Sequence, residues 1–406
     1  MGFYLLFFIF GCSHLYRRFF LKKVSIFGAT GSIGNNATKI IYNNISKYKV
    51  IVLSANKNYK RLALNARLLK SKYAVIKDKK YYNLLKNELS GSKIKCLSGE
   101  DELIGLAGIK TDYTIASIVG IAGLKPAYNS IGNTKNLALA NKEALICAGK
   151  IFISKARKLK TNILPLDSEH NALFQIIENN RKVYIKNIIL TASGGPFWNK
   201  KLDLNKVTVK QALMHPNWKM GKKISVDSAT MMNKVLEKIE AAILFSLDLD
   251  KIDIVVHPKS IVHGVVNFID GNSLMLMSKP DMKIPINCAL NWPKRLNVNI
   301  DCINLKKIKK LEFFDVTKKD FSSLEFFKYL YDKKINYCRL IALNASNEIA
   351  VESFLNKKIG FLDITKVIKN TVLTFGKNIP SNIQDVFEIH QEASRIASNF
   401  VNKLNS

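Results

Sequence analysis

Apolar residues are distributed along the 406-residue chain in three successive patterns. Over the first part, short β-branched runs alternate with stretches in which apolar residues recur at helical spacing. Residues 23–27 form one such run, which breaks into Gly28, Ala29, Thr30, Gly31, Ser32, Ile33 and Gly34 before helical spacing resumes through Ile40 and Ile41. The order predicts strand, glycine turn and helix. A second strand over 49–54 and further runs at 73–76, 113–118 and 136–140 continue the alternation and predict a doubly wound, Rossmann-like domain over 23–150. From there the pattern changes. Apolar runs at 163–166, 188–191, 252–256 and 273–277 are separated by loops dense in Ser, Gly, His, Asp and Asn, which predicts a central α/β catalytic domain over 151–300. Beyond 301, charged and apolar residues alternate at helical spacing, as in 321–331 and 340–354, so 301–406 reads as a linker and a small helical domain. The expected fold class is therefore α/β, a doubly wound domain followed by a catalytic α/β domain and a helical C-terminal one.

Charge changes this picture less than its size suggests. With 63 Lys+Arg against 31 Asp+Glu the formal net charge is +32, yet only 9 of the cations are Arg and the Lys are spread along the whole chain. A protein that reads nucleic acid would cluster Arg for bidentate contacts, so no nucleic-acid partner is expected and the excess is read as surface composition. The six cysteines (Cys12, Cys96, Cys147, Cys288, Cys302 and Cys338) include no CxxC pair, which points away from a zinc site or a disulfide framework and toward a reducing compartment. The apolar run over 3–10 is too short to span a bilayer as a helix, and Arg17 and Arg18 follow it instead of preceding it, unlike a secretory signal. Residues 1–22 are read as an extension or a presequence, with a cytoplasmic location expected and a plastid-like organelle as the alternative.

Four stretches carry candidate chemistry. In the glycine turn, Gly28, Gly31 and Gly34 let backbone approach a pyrophosphate at a helix N-terminus. At the end of the second strand, where an NAD enzyme usually places an acid, the chain has Asn56, Lys57 and Asn58, a cation and two amides suited to a 2′-phosphate. The run Asp167, Ser168, Glu169, His170 follows a strand. Read as extended chain it sends Asp167 and Glu169 to one side as a clip for a hard cation, although such a run taken alone is more often a helix N-terminus with capping carboxylates. The Thr191–Pro196 segment, with Ser193 and two glycines, suits an anion-binding turn. The longest stretch contains His215, Trp218 and Gly221, then Ser228, Asn233, Lys234 and Glu237. If Asp227 or Ser228 caps a helix, Asn233 and Glu237 share a face with Lys234 beside them, giving an amide and a cation for phosphate and a carboxylate for metal. The segment 211–221 reads as a flap, with Trp218 placed to cover a ligand. His257 reads as structural and His263 as a further candidate. On these residues alone, another NADP-dependent, metal-assisted enzyme acting on a phosphorylated hydroxy or keto acid, or a basic binding protein, remains open.

Taken together, GATGSIG (28–34), LANKEA (139–144), LPLDSEHNALFQ (164–175), LTASGGPF (190–197), HPNWKMGKKISVDSATMMNK (215–234), HPKSIVHGVV (257–266) and ALNASNEIAV (342–351) resemble the 1-deoxy-D-xylulose 5-phosphate reductoisomerase family, over nearly the whole chain. The resemblance implies rearrangement and NADPH-dependent reduction of 1-deoxy-D-xylulose 5-phosphate to 2-C-methyl-D-erythritol 4-phosphate, in a homodimer without membrane or nucleic-acid partners. It implies nucleotide contacts at Thr30, Gly31, Ser32, Ile33, Asn56, Lys57, Asn58, Asn141, Glu143 and Gly221. Metal ligands fall on Asp167, Glu169 and Glu237, for Mn²⁺ or Mg²⁺ with Co²⁺ as a further option. Substrate contacts fall on Lys142, Ser168, Glu169, Ser193, His215, Ser228, Asn233, Lys234 and Glu237, with Lys142, Glu169 and His215 as the catalytic candidates. The chain departs from the family at Asn56 and Val235, where Gly is usual. Val235 lies inside the metal-ligand helix and is expected to need room close to the phosphate and metal.

Overall fold

The computed structural model describes residues 21–405 apart from 219, 317–320, 333 and 377–378, so the presequence reading of residues 1–20 lies outside the described residues. Seven parallel strands form the first sheet: β1 (Lys22–Phe27), β2 (Tyr48–Ala55), β3 (Tyr73–Ile76), β4 (Lys95–Ser98), β5 (Thr111–Ala116), β6 (Thr134–Leu139) and β7 (Asn162–Pro165). Their order is β4-β3-β2-β1-β5-β6-β7, so the chain winds outward from β1 in one direction, returns and continues in the other. A parallel sheet covered by helices on both faces needs apolar side chains on both faces, which the β-branched runs supply: Val24, Ile26, Val52, Leu53, Ile76 and Ile115 are fully buried. The crevice of such a sheet opens beyond the carboxyl ends of its strands, where the chain reverses its winding.

The sheet reaches further than the sequence pattern indicates. The boundary expected at 150 falls inside the Lys142–Lys158 helix, and the run at 163–166, read as the first strand of the catalytic domain, pairs as β7 with β6. A strand's own sequence records its apolar faces and not its neighbour, so this pairing is invisible locally.

The second sheet is mixed, in the order β11-β10-β8-β9-β12, from β8 (Ile185–Ala192), β9 (Ile252–Val256), β10 (Val262–Phe268), β11 (Ser273–Met277) and β12 (Phe314–Asp315). β8 and β9 are parallel and the other pairs antiparallel. β10 is a full strand within the stretch singled out for His257 and His263. β12 brings part of the expected linker into this sheet. On one face the Ser168–Ile177 helix lies so close to β10 that a Cβ at Gly264 would stand 3.0 Å from Leu173 Cγ.

Three C-terminal helices, Tyr337–Leu355, Asp363–Leu373 and Ile383–Asn405, complete the fold, as the helical spacing predicts. The 321–331 stretch differs: it forms a 3-10 turn (Ser322–Phe326) and a four-residue helix (Phe327–Leu330). The Tyr337–Leu355 helix shares one apolar core with the Lys142–Lys158 and Met232–Phe245 helices. Val235 belongs to that core at 0% exposure, so its side chain occupies the interior, and the crowding expected of it beside the ligands does not arise.

Candidate active site

Three carboxylates converge beyond the end of β7. Asp167 is the N-cap of the Ser168–Ile177 helix and Glu169 lies in its first turn, so the run is a helix start and not the extended clip, yet both carboxylates face one point. A helix N-terminus attracts negative charge, which helps hold them there. Glu237 comes from the Met232–Phe245 helix, and single oxygens of Asp167, Glu169 and Glu237 all lie within 4.8 Å of one another. Neither Asp227 nor Ser228 caps that helix. Both lie in the Lys222–Ala229 helix, and the break falls at Met231, a non-glycine residue at φ 61°. The anticipated face survives, because Asn233 and Glu237 are still four residues apart and hydrogen-bond each other.

Two buried lysines supply the countercharge. Lys142 Nζ lies 2.7 Å from Asp167 Oδ2, 3.3 Å from Glu237 Oε1 and 2.7 Å from Asn233 Oδ1. Lys234 Nζ lies 2.8 Å from Glu169 Oε1, donates to Thr191 O at 2.6 Å and contacts Glu237 Oε2. Burial works against both ammoniums, but Asp167 and Glu237 around Lys142, and Glu169 and Glu237 around Lys234, hold both above the usual lysine range. Burial and then the neighbouring Glu169 charge push the Glu237 carboxyl up to about 7 despite the two lysines. Asp167 moves the other way: burial opposes, but Lys142 pulls it well below the usual carboxylate range. A carboxylate trio so crowded that its buried member, Glu237, resists ionising is short of positive charge, and its all-oxygen donor set fits a hard divalent cation.

Beside this cluster lie the hydroxyl and imidazole groups. Ser193 follows β8 in a turn whose Gly194 and Gly195 have φ of 83° and 69°. A Cβ at Gly195 would stand 2.6 Å from Ser228 O, so only a glycine lets the Ser193 turn rest on the backbone bearing Ser228. His215 Nδ1 accepts from the amides of Asn217 at 3.2 Å and Trp218 at 3.0 Å. Its proton therefore sits on Nε2, which donates to Ser193 Oγ at 2.9 Å. Burial lowers the His215 pKa to about 4, consistent with that neutral form. Asn217 pins the flap to the second sheet through Ser260 Oγ at 2.9 Å and Pro258 O. The Trp218 ring lies 6.3 Å from that of His263, which bonds Ser278 Oγ at 2.9 Å. His257 is structural as read: it bonds Glu312 O and stacks on Phe313.

The nucleotide candidates lie at the ends of the strands. Gly28 has φ 89°, and a Cβ at Gly34 would stand 2.3 Å from Gly28 O, so these two glycines make the turn and its tight contact with the helix. Gly31 is the N-cap of the Ser32–Tyr42 helix, following Thr30 and leading into Ser32 and Ile33. Asn56, Lys57 and Asn58 are exposed just past β2, with Asn58 capping the next helix. Gly221 has open space where a Cβ would project. Asn141 is committed elsewhere: it caps the Lys142–Lys158 helix and bonds the carbonyls of Ile118 and Gly120. Glu143 is buried against Lys223 at 3.1 Å.

Sequence reasoning passed over several buried polar residues. His170 bonds Glu237 O at 2.9 Å, with Glu240 Oε2 3.6 Å away. Lys223 bonds Asp227 at 2.8 Å as well as Glu143, and Asn347 bonds Asp227 at 2.9 Å. Only the i, i+4 spacing of Lys223 and Asp227 was a local signal.

Comparisons with known proteins extend over nearly the whole chain. The model of 1-deoxy-D-xylulose 5-phosphate reductoisomerase matches residues 24–149, that of its C-terminal domain residues 163–245, and that of the DXP reductoisomerase C-terminal domain residues 277–396. The reductoisomerase of Wolbachia pipientis subsp. Culex pipiens is 47% identical over 386 residues, 94% of this chain and 98% of that one. The Zymomonas mobilis enzyme is 44% identical over 92% of this chain and 96% of its own. The solved Zymomonas mobilis enzyme in complex with NADPH superimposes with a TM-score of 0.88 at 42% identity, covering 95% of this chain and all of that one. A DOX-P reductoisomerase in complex with NADPH, fosmidomycin and magnesium gives 0.87 at 34% identity over 95% of this chain and all of its own. With matches of this length and identity, the chain belongs to the 1-deoxy-D-xylulose 5-phosphate reductoisomerase family.

Proposed function

We infer that this protein is an NADPH- and divalent-metal-dependent reductoisomerase converting 1-deoxy-D-xylulose 5-phosphate to 2-C-methyl-D-erythritol 4-phosphate. The observation that carries the reading is the convergence of Asp167, Glu169 and Glu237 around two buried lysines, in a chain matched to the family along nearly its full length. When bound, magnesium or manganese held by these carboxylates would supply Lewis acidity toward the substrate's oxygens, and NADPH the hydride.

This chain's own residues do the rest. Ser193, Ser228, Asn233 and Lys234 offer hydroxyl, amide and ammonium donors to the substrate phosphate. Lys142, kept charged by Asp167, directs an ammonium at the reacting oxygens, and Asn233 at 2.7 Å fixes where it points. Glu169 and Ser168 line the same end. His215, neutral and protonated on Nε2, acts as a hydrogen-bond donor through the pH range in which a free imidazole would charge. Trp218 roofs the site and excludes water while bonds to carbon are rearranged. On the nucleotide side, Thr30, Gly31, Ser32 and Ile33 present a helix N-terminus to the pyrophosphate. Asn56, Lys57 and Asn58 receive the 2′-phosphate, and Asn141, Glu143 and Gly221 border the nucleotide.

A homodimer accords with the exposed edge strand β11, where Leu274 and Met275 stand out beside Ile269, Val183 and Tyr184. An apolar edge of this kind favours pairing with a second copy. A cytoplasmic location accords with the five described cysteines, all free thiols. No helix among the described residues is long and apolar enough to cross a membrane.

The test is direct. Mixing the protein with NADPH, Mg²⁺ and 1-deoxy-D-xylulose 5-phosphate consumes the reduced nicotinamide, followed by its absorbance. Consumption unaffected by chelator, or absent with this substrate, overturns the reading.

A further inference from the structure

Two residues past Gly221, at the base of the flap, the ammonium of Lys223 bridges two parts of the fold. It lies 3.1 Å from Glu143, in the first turn of the Lys142–Lys158 helix, and 2.8 Å from Asp227, which precedes the phosphate-side Ser228. Glu143 and Asp227 are 4% and 1% exposed, so neither carboxylate has water to replace the lysine. From the other side the C-terminal domain closes on the same point. Asn347 Nδ2 donates to Asp227 Oδ1 at 2.9 Å, and the neighbouring Glu348 accepts from the Ile121 amide at 3.1 Å and from Asn344 at 2.9 Å. Gly120 is tight against that carboxylate: a Cβ there would stand 2.9 Å from Glu348 Oε1.

Two amides of the Tyr337–Leu355 helix are held by their nitrogens alone. Asn347 Oδ1 and Asn344 Oδ1 are buried without a hydrogen-bond partner among the described residues. On the nitrogen side each amide holds a carboxylate, Asn347 that of Asp227 and Asn344 that of Glu348. Those partners sit on the flap's outgoing helix and next to the 118–121 loop, which Asn141 ties to the start of the Lys142–Lys158 helix.

We propose that Lys223 is a positioning residue that fixes the nucleotide end of the site by bolting Glu143 to the base of the flap, and that the C-terminal domain takes part through Asn347. The proposal rests on the placement of NADPH beside Glu143 given above. Lys223 touches none of the three metal carboxylates in the contacts described, so its influence falls on nucleotide binding and flap closure before it falls on the metal.

The experiment titrates NADPH by fluorescence, and Mg²⁺ by calorimetry, into the full-length protein and its Lys223→Met, Lys223→Arg and Asn347→Ala variants. Lys223→Met is expected to raise the NADPH Kd at least about tenfold, within the range of ordinary inter-site coupling, while the Mg²⁺ Kd stays within about threefold. Lys223→Arg, which keeps the charge, restores most of the affinity. Asn347→Ala, in a different domain, shifts NADPH in the same direction by about threefold. A folded Lys223→Met protein that binds NADPH like the parent, or that loses NADPH and Mg²⁺ equally, overturns the proposal. Should Lys223→Met not fold, unchanged NADPH affinity in Asn347→Ala overturns it, and weakened NADPH with intact Mg²⁺ binding supports it. A parent protein that does not bind NADPH at all defeats the functional reading itself.

Discussion

The two ends of the site are built by opposite means. At the metal end, five charged side chains from three helices and a helix cap converge, Lys142, Lys234 and Glu237 buried and Asp167 and Glu169 half-buried, and each is held by others: Lys142 by Asp167, Lys234 by Glu169, Glu237 by both lysines. At the proposed nucleotide end the turn is made by backbone at Gly28 and Gly34 and the side chains of Asn56, Lys57 and Asn58 are exposed, with the buried Lys223–Glu143 pair set behind them. Removing one member of a buried ionic cluster leaves a charge with no solvent to receive it, at about 3–5 kcal/mol, whereas an exposed cation acts alone and its loss is felt only by its ligand. The metal end should therefore fail as a unit, whereas the exposed Asn56–Asn58 segment and the glycine turn should fail one at a time.

The strongest way to break this contrast is Glu237→Gln. It is expected to lower kcat at least about a hundredfold and weaken Mg²⁺ binding while leaving the NADPH Kd within about twofold. Steady-state kinetics with a parallel NADPH titration check it, and near-normal turnover would remove Glu237 from the metal site. The converse is Gly34→Val, whose Cβ has no room at 2.3 Å from Gly28 O. It should cost about 1–3 kcal/mol of stability in a denaturant titration and weaken NADPH, with Mg²⁺ affinity retained.

Third, pH sharpens the comparison. Glu237 titrates near 7 in the metal-free protein, and proton and cation compete for the same carboxylate. Mg²⁺ affinity should therefore fall as pH drops below about 7, by up to about tenfold per unit, while NADPH affinity changes less and only as its own 2′-phosphate takes up a proton at about pH 6. For stability the sign is set by a raised carboxyl pKa. The contribution of Glu237 to the metal-free fold is complete below the unfolded value and is lost as pH rises through about 7. Added Mg²⁺ should therefore raise Tm more at pH 8 than at pH 6. A Tm shift independent of pH would count against Glu237 as a ligand.

The smallest effect belongs to Lys57→Ala, expected to raise the KM for NADPH about three- to tenfold and leave NADH use unchanged. Equal losses with both cofactors would place the 2′-phosphate elsewhere.

The contrast also explains what could be read from the sequence. The nucleotide end is local: three glycines between a strand and a helix state their own geometry, and the structure places Gly28 and Gly34 where only a glycine fits. At the metal end the residues were legible and their setting only in part. Asp167 and Glu169 begin a helix, the commoner reading of such a run and not the extended clip, but the break between the helices bearing Ser228 and Glu237 falls at Met231, a residue type that gives no sign of a left-handed conformation. Val235 looked like an intrusion beside the metal because its direction depends on that break. β7 pairs with β6 on a matter of partner and not of pattern. The contacts of Lys223 with Glu143, 80 residues away, and of Asp227 with Asn347, 120 residues away, lie beyond any periodicity.

The missing side chain at Gly195 sets a gauge. Because the turn bearing Ser193 already rests on the Ser228 carbonyl, the two hydroxyl-bearing segments cannot close further around a smaller anion. Widening the gap for a bulkier one would separate two backbones packed in contact. If the two serines hold the substrate phosphate as proposed, exchanging either should alter how firmly an anion is gripped while main chain still limits its size, so selection among phosphate-like groups should persist in variants that have lost a hydroxyl.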